Sequence, residues 1–492
     1  MEDLKRRKKN LIMFPLGTIG RDMVYYLFSN CIITFIMFTR NLTNAQFAAV
    51  TAIVVAARIF DALNDPIMGN IIERTRTRWG KFKPWLVIGI LSTSVVVIAA
   101  FNTPLQGWGF VWFFALIYFL YSITFTMHDI SYWGMVPALS TDANARNQFT
   151  SRATLCAGIG STLASILIPM LTVGKNAIGG STTTAYGIIS IVICIFAPLC
   201  LCFTIFGVRE NRDYSEAPPV SFKKIWNTIT GNDQLMWISL IFLLQQIGNG
   251  LIIGGMGSTY IYFEFGYNGT LFSLFSMVGM SVTALLMIFY PSISRHIKRK
   301  PFMGKLAIIA MAGYIIMLLA GLLLPAGMPK FWLIVLGYAL SNFGQYGYYL
   351  IMMISIMNTV EYNEYKTGER DEAIITSLRP FLTKMGSALI VLVTNLSYII
   401  FGVTKYTNSI SDLENESARK IITESEKITA IDNVIAGISD GKTIALLLCM
   451  VLIPACLMLL SYFLYKKHYK LDEDEYNRIC HETAERKESA EA

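Results

Sequence analysis

The chain has 492 residues, of which 54% are hydrophobic and only 15% charged, and its formal net charge is +8 at pH 7. Soluble globular proteins carry about 25% charged residues and about 45–50% apolar residues. The composition therefore excludes a cytosolic enzyme, a disordered chain, a collagen and a disulfide scaffold. The apolar residues fall in runs of roughly 20, the length that a bilayer-spanning helix needs, which predicts a polytopic, all-α membrane protein.

The cysteines and histidines form no metal or redox motif. Seven of the eight cysteines lie in apolar runs, Cys480 lies in the C-terminal tail, and no C-x-x-C pair occurs. The sequence contains only four histidines. We therefore expect the cysteines to act as small buried hydrophobic residues, and we expect no cofactor and no metal beyond a transported cation.

The positive charge is concentrated in alternate loops. Basic residues cluster at 5–9 before the first apolar run, at 74–83 after the second and at 295–300 after the eighth, whereas the other short loops are nearly bare. This pattern follows the positive-inside rule and predicts that both termini are cytoplasmic. It favours a multi-pass protein of the cell membrane, most simply a bacterial plasma membrane, with no nucleic-acid partner. No A-x-A-like cleavage site follows the basic N terminus, so a signal peptide is not predicted.

The apolar runs predict twelve transmembrane helices in two six-helix bundles. The predicted spans are 11–39, 44–72, 84–102, 108–136, 149–173, 184–208, 233–263, 269–291, 303–325, 331–358, 374–402 and 443–466. A polar connector at 209–232 separates an N-terminal bundle (1–208) from a C-terminal bundle (233–466), and a charged, solvated tail (467–492) follows. The segment after the second span, 65–85, is weakly echoed by 290–302 after the eighth, as in transporters built from internal repeats.

The loop at 404–441 is long and acidic, with seven acidic and four basic residues, and its predicted place is extracytoplasmic. Ile421, Ile428, Ile431 and Ile435 recur at helical spacing. This spacing predicts an amphipathic surface helix, most simply a cover packed over the outer face.

Ionisable residues inside apolar runs are expensive, so they mark ion or substrate paths. Arg58, Asp61 and Asp65 follow an i, i+3, i+7 pattern on one helical face, with Asn64 at its edge. Two carboxylates and an amide oxygen are ligands that a small hard cation prefers, and Thr126 in the fourth span supplies a further oxygen. If no metal ion binds, one of the two carboxylates takes up a proton. The cluster predicts a site for Na⁺, Li⁺ or H⁺.

The same charges also allow a purely structural interpretation, in which Arg58 pairs with Asp61 and Lys384 pairs with Asp65. If the cluster binds a cation instead, the incoming ion would free Arg58 or Lys384 to shift. That shift would couple cation binding to the binding of a second substrate.

A second polar set predicts a sugar site. Asp22, Asp129 and Arg152 can hold neighbouring hydroxyl groups bidentately, and Trp133 lies four residues after Asp129 on the same side of its helix. The alternative for Trp133 is an interfacial anchor. Tyr349, in a polar stretch of the tenth span, is compatible with either sugar binding or helix packing.

The motifs resemble those of a known family. The residues from Arg58 to Gly69, continuing through 78–85, resemble the signature of the glycoside–pentoside–hexuronide:cation symporters. Supporting matches at 20–22, 127–133, 361–368 and 384–388 occur in the order of that family.

This resemblance implies a major facilitator fold and symport of a sugar with a cation by alternating access, in a protein that functions as a monomer. It implies cation binding by Asp61, Asn64, Asp65 and Thr126; sugar binding by Arg21, Asp22, Asp129, Trp133, Arg152 and Tyr349; coupling through Arg58 and Lys384; and a cytoplasmic gate of Arg146, Glu361 and Glu364. Arg379 is an additional cation close to these positions, so neutral and acidic sugars both stay open.

Two other classes of membrane protein are alternatives to a symporter. An uncoupled facilitator or an exporter of another solute can share the fold, but the paired carboxylates Asp61 and Asp65 disfavour it. An intramembrane aspartyl protease needs two aspartates on separate helices in a G-x-G-D context, which the residues around Asp61 do not provide.

Overall fold

A computed structural model describes residues 2–140, 143–208, 222–294 and 297–491. All the regular elements within these residues are helical, in agreement with the predicted all-α class. The α-helices are α1 (Glu2–Leu16), α2 (Thr18–Thr39), α3 (Asn44–Arg74), α4 (Lys83–Asn102), α5 (Gly107–Leu139), α6 (Ala143–Thr172), α7 (Thr182–Gly207), α8 (Phe222–Gly231), α9 (Asp233–Leu251), α10 (Gly257–Phe265), α11 (Gly269–Ser294), α12 (Arg299–Leu323), α13 (Met328–Thr367), α14 (Glu372–Ile400), α15 (Val403–Ala418), α16 (Glu424–Ala436), α17 (Asp440–His468) and α18 (Glu473–Glu491).

Eleven helical stretches among the described residues are long and apolar enough to cross a membrane. The first joins most of α1 to α2, and the seventh joins α9 to α10 through a π-helical segment at Ile252–Met256. The tenth predicted span lies in α13, which is continuous over 40 residues. This helix is not among the eleven because its polar stretch at 341–349 lowers its hydropathy. The multi-pass class is thus confirmed. Eleven of the twelve predicted spans correspond to helices that are long and apolar enough to cross a membrane.

The described residues divide into two compact units. Unit 1 takes in the described parts of Met1–Glu216, Gly257–Met277 and Thr394–Lys442. Within it α2 packs against α6 and α7, while α5 packs against α3 and α4. Glycine permits α2 to approach α7 closely: a Cβ atom on Gly20 would overlap the backbone of Ala197. Small residues let helix backbones approach in this way where lipid provides no hydrophobic driving force.

Unit 2 takes in the described parts of Ala217–Met256, Val278–Val393 and Thr443–Ala492. Its most extensive helix pair is α12 with α13. A Cβ atom on Gly313 of α12 would overlap the Gly337 carbonyl oxygen and the Ser341 amide nitrogen of α13. These two helices therefore meet backbone to backbone.

The C-terminal tail differs from the solvated segment expected from its charge. Residues 473–491 form α18, which packs on α13 and buries Ile479. Glu473 anchors the start of this helix by accepting hydrogen bonds from the Arg299 backbone N–H at 2.7 Å and from Arg299 Nε at 2.8 Å. Apolar residues are sparse in this charged segment, so the sequence does not predict a packed helix here.

The long acidic loop contains two helices, α15 and α16. We call residues 401–439 the cap segment. Ile431 in α16 is buried, as the isoleucine spacing predicts, but Ile421 lies outside both helices and is 66% exposed. The cap segment belongs to unit 1, where α15 packs against α2 and α7.

The α12–α13 contact yields a prediction about stability. Gly313→Leu forces two backbones apart, so we expect it to lower the unfolding free energy by about 3 kcal/mol or more. Gly158→Leu in α6 is the matched control, because a Cβ atom there meets nothing within 4 Å. Thermal melting of the two purified variants tests the contact. Equal melting temperatures for both variants would contradict it.

Candidate functional site

The guanidinium group of Arg21 binds two carboxylates inside unit 1. Its Nε and Nη2 donate to the two oxygens of Asp22 at 3.1 and 3.0 Å, and its Nη1 donates to Asp129 Oδ1 at 2.6 Å. Thr18, one turn before Asp22, donates its hydroxyl to Asp22 Oδ2 at 2.6 Å. The side chains of Arg21 and Asp22 are only 8% and 11% exposed, whereas that of Asp129 is 40% exposed. Asp129 is therefore the more accessible of the two carboxylates.

Two aromatic rings complete this cluster. The Arg21 guanidinium carbon lies 5.6 Å from the ring centroid of Tyr132 and 5.5 Å from that of Trp133, within the range of cation–π attraction. Tyr132 is fixed because it donates to the Phe14 carbonyl oxygen at 2.7 Å and stacks on the Phe14 ring. Trp133 is partly exposed. Four of the six predicted sugar-site residues are thus brought together: Arg21, Asp22, Asp129 and Trp133.

The other two predicted sugar-site residues have different surroundings. Arg152 is exposed, and its Nη1 donates to the Leu11 carbonyl oxygen at 3.3 Å. Tyr349 lies in unit 2, where its hydroxyl accepts a 3.3 Å hydrogen bond from Arg379 Nη2. Neither contact joins these residues to the Arg21 cluster.

The predicted cation ligands lie on α3 and α5 of unit 1. The Thr126 hydroxyl donates to Asp65 Oδ1 at 3.4 Å. Arg58 Nη1 is 3.9 Å from Asp61 Oδ2, longer than a hydrogen bond. Among the described residues, no hydrogen-bond partner reaches two buried atoms here, Asp61 Oδ1 and Asn64 Nδ2.

The unsatisfied oxygen is compatible with a small cation. A buried carboxylate oxygen that accepts no hydrogen bond calls for an explanation, and coordination to a cation supplies one. The described part of the chain contains no group of three or more His, Cys, Asp or Glu side chains that could hold a metal ion. An ion bound here would depend on the two carboxylates together with the neutral oxygens of Asn64 and Thr126.

The predicted gate carboxylates in unit 2 share one arginine. Arg370 Nη2 contacts Glu361 at 2.8 Å, its Nη1 contacts Glu364 at 3.2 Å and its Nε contacts Glu372 at 3.2 Å. The hydrogen bond to Glu372 and the nearby carboxylates raise the pKa of Arg370. Arg146, the third predicted gate residue, lies in unit 1 and donates its Nε to the Ser140 carbonyl oxygen at 2.8 Å. Lys384, the predicted coupling base, is partly buried on α14 in unit 2.

Sequence reasoning missed three residues of these clusters. Thr18 holds Asp22 from the preceding turn, and the i, i+4 spacing carries that signal. Tyr132 supports Arg21 and Trp133, but an aromatic residue in an apolar run is indistinguishable from core packing. Arg370 lies in the turn between α13 and α14. Its three partners come together only because of the conformation of this turn, which the sequence does not reveal.

Solved structures with the same fold resemble this chain over most of its length. A bacterial homolog of the human lysosomal transporter Spinster, in an inward-facing and unoccupied conformation, matches with a TM-score of 0.63 at 12% identity, covering 95% of this chain and 98% of that one. The E. coli xylose transporter XylE, in a partially occluded inward-open conformation, matches with a TM-score of 0.58 at 11% identity, covering 94% of this chain and all of that one. These likenesses confirm the predicted major facilitator fold.

The chain belongs to the MFS/sugar transport protein family, whose sequence profile matches residues 13–473. This confirms the predicted family relationship and identifies a member of a transporter family rather than an enzyme. The lactose permease of Leuconostoc lactis is 29% identical over 418 residues, covering 79% of this chain and 63% of that protein.

The raffinose carrier protein of Pediococcus pentosaceus is 28% identical, covering 80% of this chain and 62% of that protein. This chain thus spans less than two thirds of the length of both relatives. The inner membrane symporter YicJ of Escherichia coli K12 is 29% identical over 251 residues, covering 50% of this chain and 52% of that protein.

The geometry of the Arg21 cluster predicts that replacing Asp22 and replacing Asp129 lower the unfolding free energy by different amounts. Asp22→Asn removes the buried partner of a buried cation, so we expect the unfolding free energy to fall by about 3 kcal/mol. Asp129→Asn leaves the two bonds from Arg21 to Asp22 in place and changes a more exposed group, so the expected loss is under about 1 kcal/mol. Thermal melts of both variants at neutral pH make the comparison. A larger loss for Asp129→Asn would show that Asp129, not Asp22, neutralises Arg21.

Proposed function

We propose that this protein is a secondary transporter that symports a glycoside or a related sugar with Na⁺, Li⁺ or H⁺ by alternating access. One observation carries the proposal: unit 1 contains two separate polar clusters, one around Arg21 with an aromatic face and one around Asp61 with an unsatisfied buried carboxylate oxygen. Two co-transported substrates of different chemistry require two such sites. The lactose, raffinose and symporter functions in the names of the relatives support the same class.

The sugar site that we propose is built on Asp129 and Arg21. The more exposed Asp129 carboxylate accepts hydrogen bonds from sugar hydroxyls, while Arg21 holds it in place and supplies donors. Trp133 offers an apolar face to the sugar ring, as aromatic residues do in small-molecule sites. Asp22 keeps Arg21 neutralised. Arg152 and Tyr349 are assigned to the site on the family resemblance.

The cation site that we propose consists of Asp61, Asn64, Asp65 and Thr126. A monovalent metal ion takes these oxygens as ligands, whereas a proton needs only one carboxylate. The amide of Asn64 favours a metal ion such as Na⁺, because an amide does not titrate. Arg58 and Lys384 are proposed as the bases released when a cation neutralises the two carboxylates, which links the two sites.

The proposed topology places both termini on the cytoplasmic side of a bacterial plasma membrane. The two moving halves are the six-helix bundles 1–208 and 233–466, connected through 209–232 and followed by the tail 467–492. Arg146, Glu361 and Glu364 form the cytoplasmic gate in this scheme, and the monomer is the functional unit. The basic loops at 5–9 and 74–83 support the assigned sidedness.

Asp65→Cys tests the coupling. Without this carboxylate the cation has lost a ligand, so we expect the accumulation ratio of a transported sugar to fall by roughly tenfold or more toward equilibration, while exchange of sugar across the membrane persists. Proteoliposomes with an imposed Na⁺ or proton gradient measure both quantities. Glu73→Gln, at the far end of α3, is the control and should retain concentrative uptake.

Unchanged accumulation by Asp65→Cys would overturn the cation assignment. Wild-type uptake that ignores both gradients would instead identify an uncoupled facilitator.

A further inference from the structure

A buried ion pair within the cap segment lies against the start of α7. Glu414 of α15 and Lys427 of α16 are both fully buried, with Lys427 Nζ 3.3 Å from Glu414 Oε2. The same carboxylate accepts hydrogen bonds from the Thr182 backbone N–H at 2.7 Å and from the Thr182 hydroxyl at 3.1 Å. Thr182 is the first residue of α7, so Glu414 lies at the positive end of that helix dipole.

The groups around Glu414 form a closed network. Lys427 Nζ also donates to the Gly180 carbonyl oxygen at 2.7 Å, and the Tyr267 hydroxyl lies 3.0 Å from that of Thr182. Burial raises the pKa of Glu414, whereas Lys427 and Thr182 oppose the rise. The ionised carboxylate is therefore stable only where Lys427 and the N terminus of α7 surround it.

A second set of contacts joins α15 to the turn between α2 and α3. Asn408 accepts from the Leu42 backbone N–H at 3.3 Å and donates to the Leu42 carbonyl oxygen at 2.8 Å. Asn415 donates to the Thr39 carbonyl oxygen at 2.9 Å. These side-chain amides satisfy backbone groups at the end of α2. The cap segment is thus fastened at two separate places on the helices of the N-terminal half.

The cap segment connects two helices that extend into unit 2. The cap segment begins where α14 ends and finishes where α17 begins, and both helices continue into unit 2. In alternating access, one half of a transporter rocks against the other. If α14 and α17 move away from α2 and α7, the short ends of the cap segment must stretch or the Glu414 and Asn408 contacts must break.

We propose that the cap segment is a latch, which keeps the predicted extracytoplasmic end of unit 1 closed until Glu414 separates from Thr182 and Lys427 separates from Gly180. The latch rests on the alternating-access mechanism proposed above. A simple cover would need only apolar packing, whereas this segment buries two charged groups whose hydrogen bonds to Thr182 and Gly180 are costly to break. The latch favours the state in which this end is shut and slows its opening.

Cysteine accessibility measures the latch directly. Thr51 of α3 is buried and accepts a 2.8 Å hydrogen bond from Asn395 in the part of α14 that belongs to unit 1. In a background without the eight native cysteines, Thr51→Cys reports opening through its rate of labelling by a membrane-impermeant maleimide added from outside. We expect Glu414→Gln and Lys427→Met each to raise this rate by at least about tenfold.

Glu416→Gln is the matched control, because Glu416 is exposed on the same helix, and its labelling rate should equal that of the parent. If Glu414→Gln does not fold, Asn408→Ala removes the two hydrogen bonds to Leu42 without leaving a buried charge and should raise the rate too. Equal rates in the folded latch variants and in Glu416→Gln would overturn the latch. Labelling is measured without sugar or a gradient, so a parent protein that shows no sugar uptake would defeat the proposed symport and leave this result standing.

Discussion

An ionised side chain within the membrane is costly unless an opposite charge or backbone carbonyl groups offset it, and the Arg21 cluster shows how this constraint organises the protein. Arg21 and Asp22 are neighbours in the chain, yet the second carboxylate comes from Asp129, 108 residues later. The cluster therefore joins α2 to α5. It also leaves Asp129 accessible and places Trp133 against the guanidinium, so the same ion pairs that make the buried charges tolerable create a polar surface beside an aromatic face.

The constraint applies in a different form to α3. Arg58 is close enough to Asp61 to compensate its charge but too far away to form a hydrogen bond, and Asp61 Oδ1 has no donor among the described residues. If both oxygens of Asp61 already accepted hydrogen bonds, this carboxylate would offer a cation no free ligand atom. Incomplete pairing is what distinguishes a proposed ion site from a structural salt bridge, and it explains why the two clusters of unit 1 can have different roles.

Much of the fold was predictable, because every backbone polar group in a bilayer must be satisfied within its own helix. Long apolar runs therefore predict helices directly, and α13 is the exception because its polar stretch weakens the signal. The pairing of Arg21 with Asp22 and Asp129 was harder to predict from the sequence, since residue types alone do not show which carboxylate a guanidinium contacts. Arg370, Glu414 and Lys427 were not predicted at all. Their partners lie across turns or far along the chain, and helical spacing does not encode those contacts.

The proposed latch and the proposed substrate sites lie in different parts of unit 1 and have different roles. The Arg21 and Asp61 clusters lie on membrane-spanning helices, whereas the cap segment fastens the ends of α2 and α7. Selectivity would reside in the first two and the resting conformation in the third.

The most direct test of the central claim is the melting temperature of the purified protein against a panel of glycosides, with and without Na⁺ at fixed pH. A ligand that binds only the folded state stabilises it by RT ln(1 + [L]/Kd). We expect one class of sugar to raise the melting temperature, and to raise it further when Na⁺ is present, or when the pH is lowered if the coupled ion is H⁺. If no sugar in the panel changes the melting temperature under any of these conditions, the assignment of a cation-coupled sugar site is contradicted.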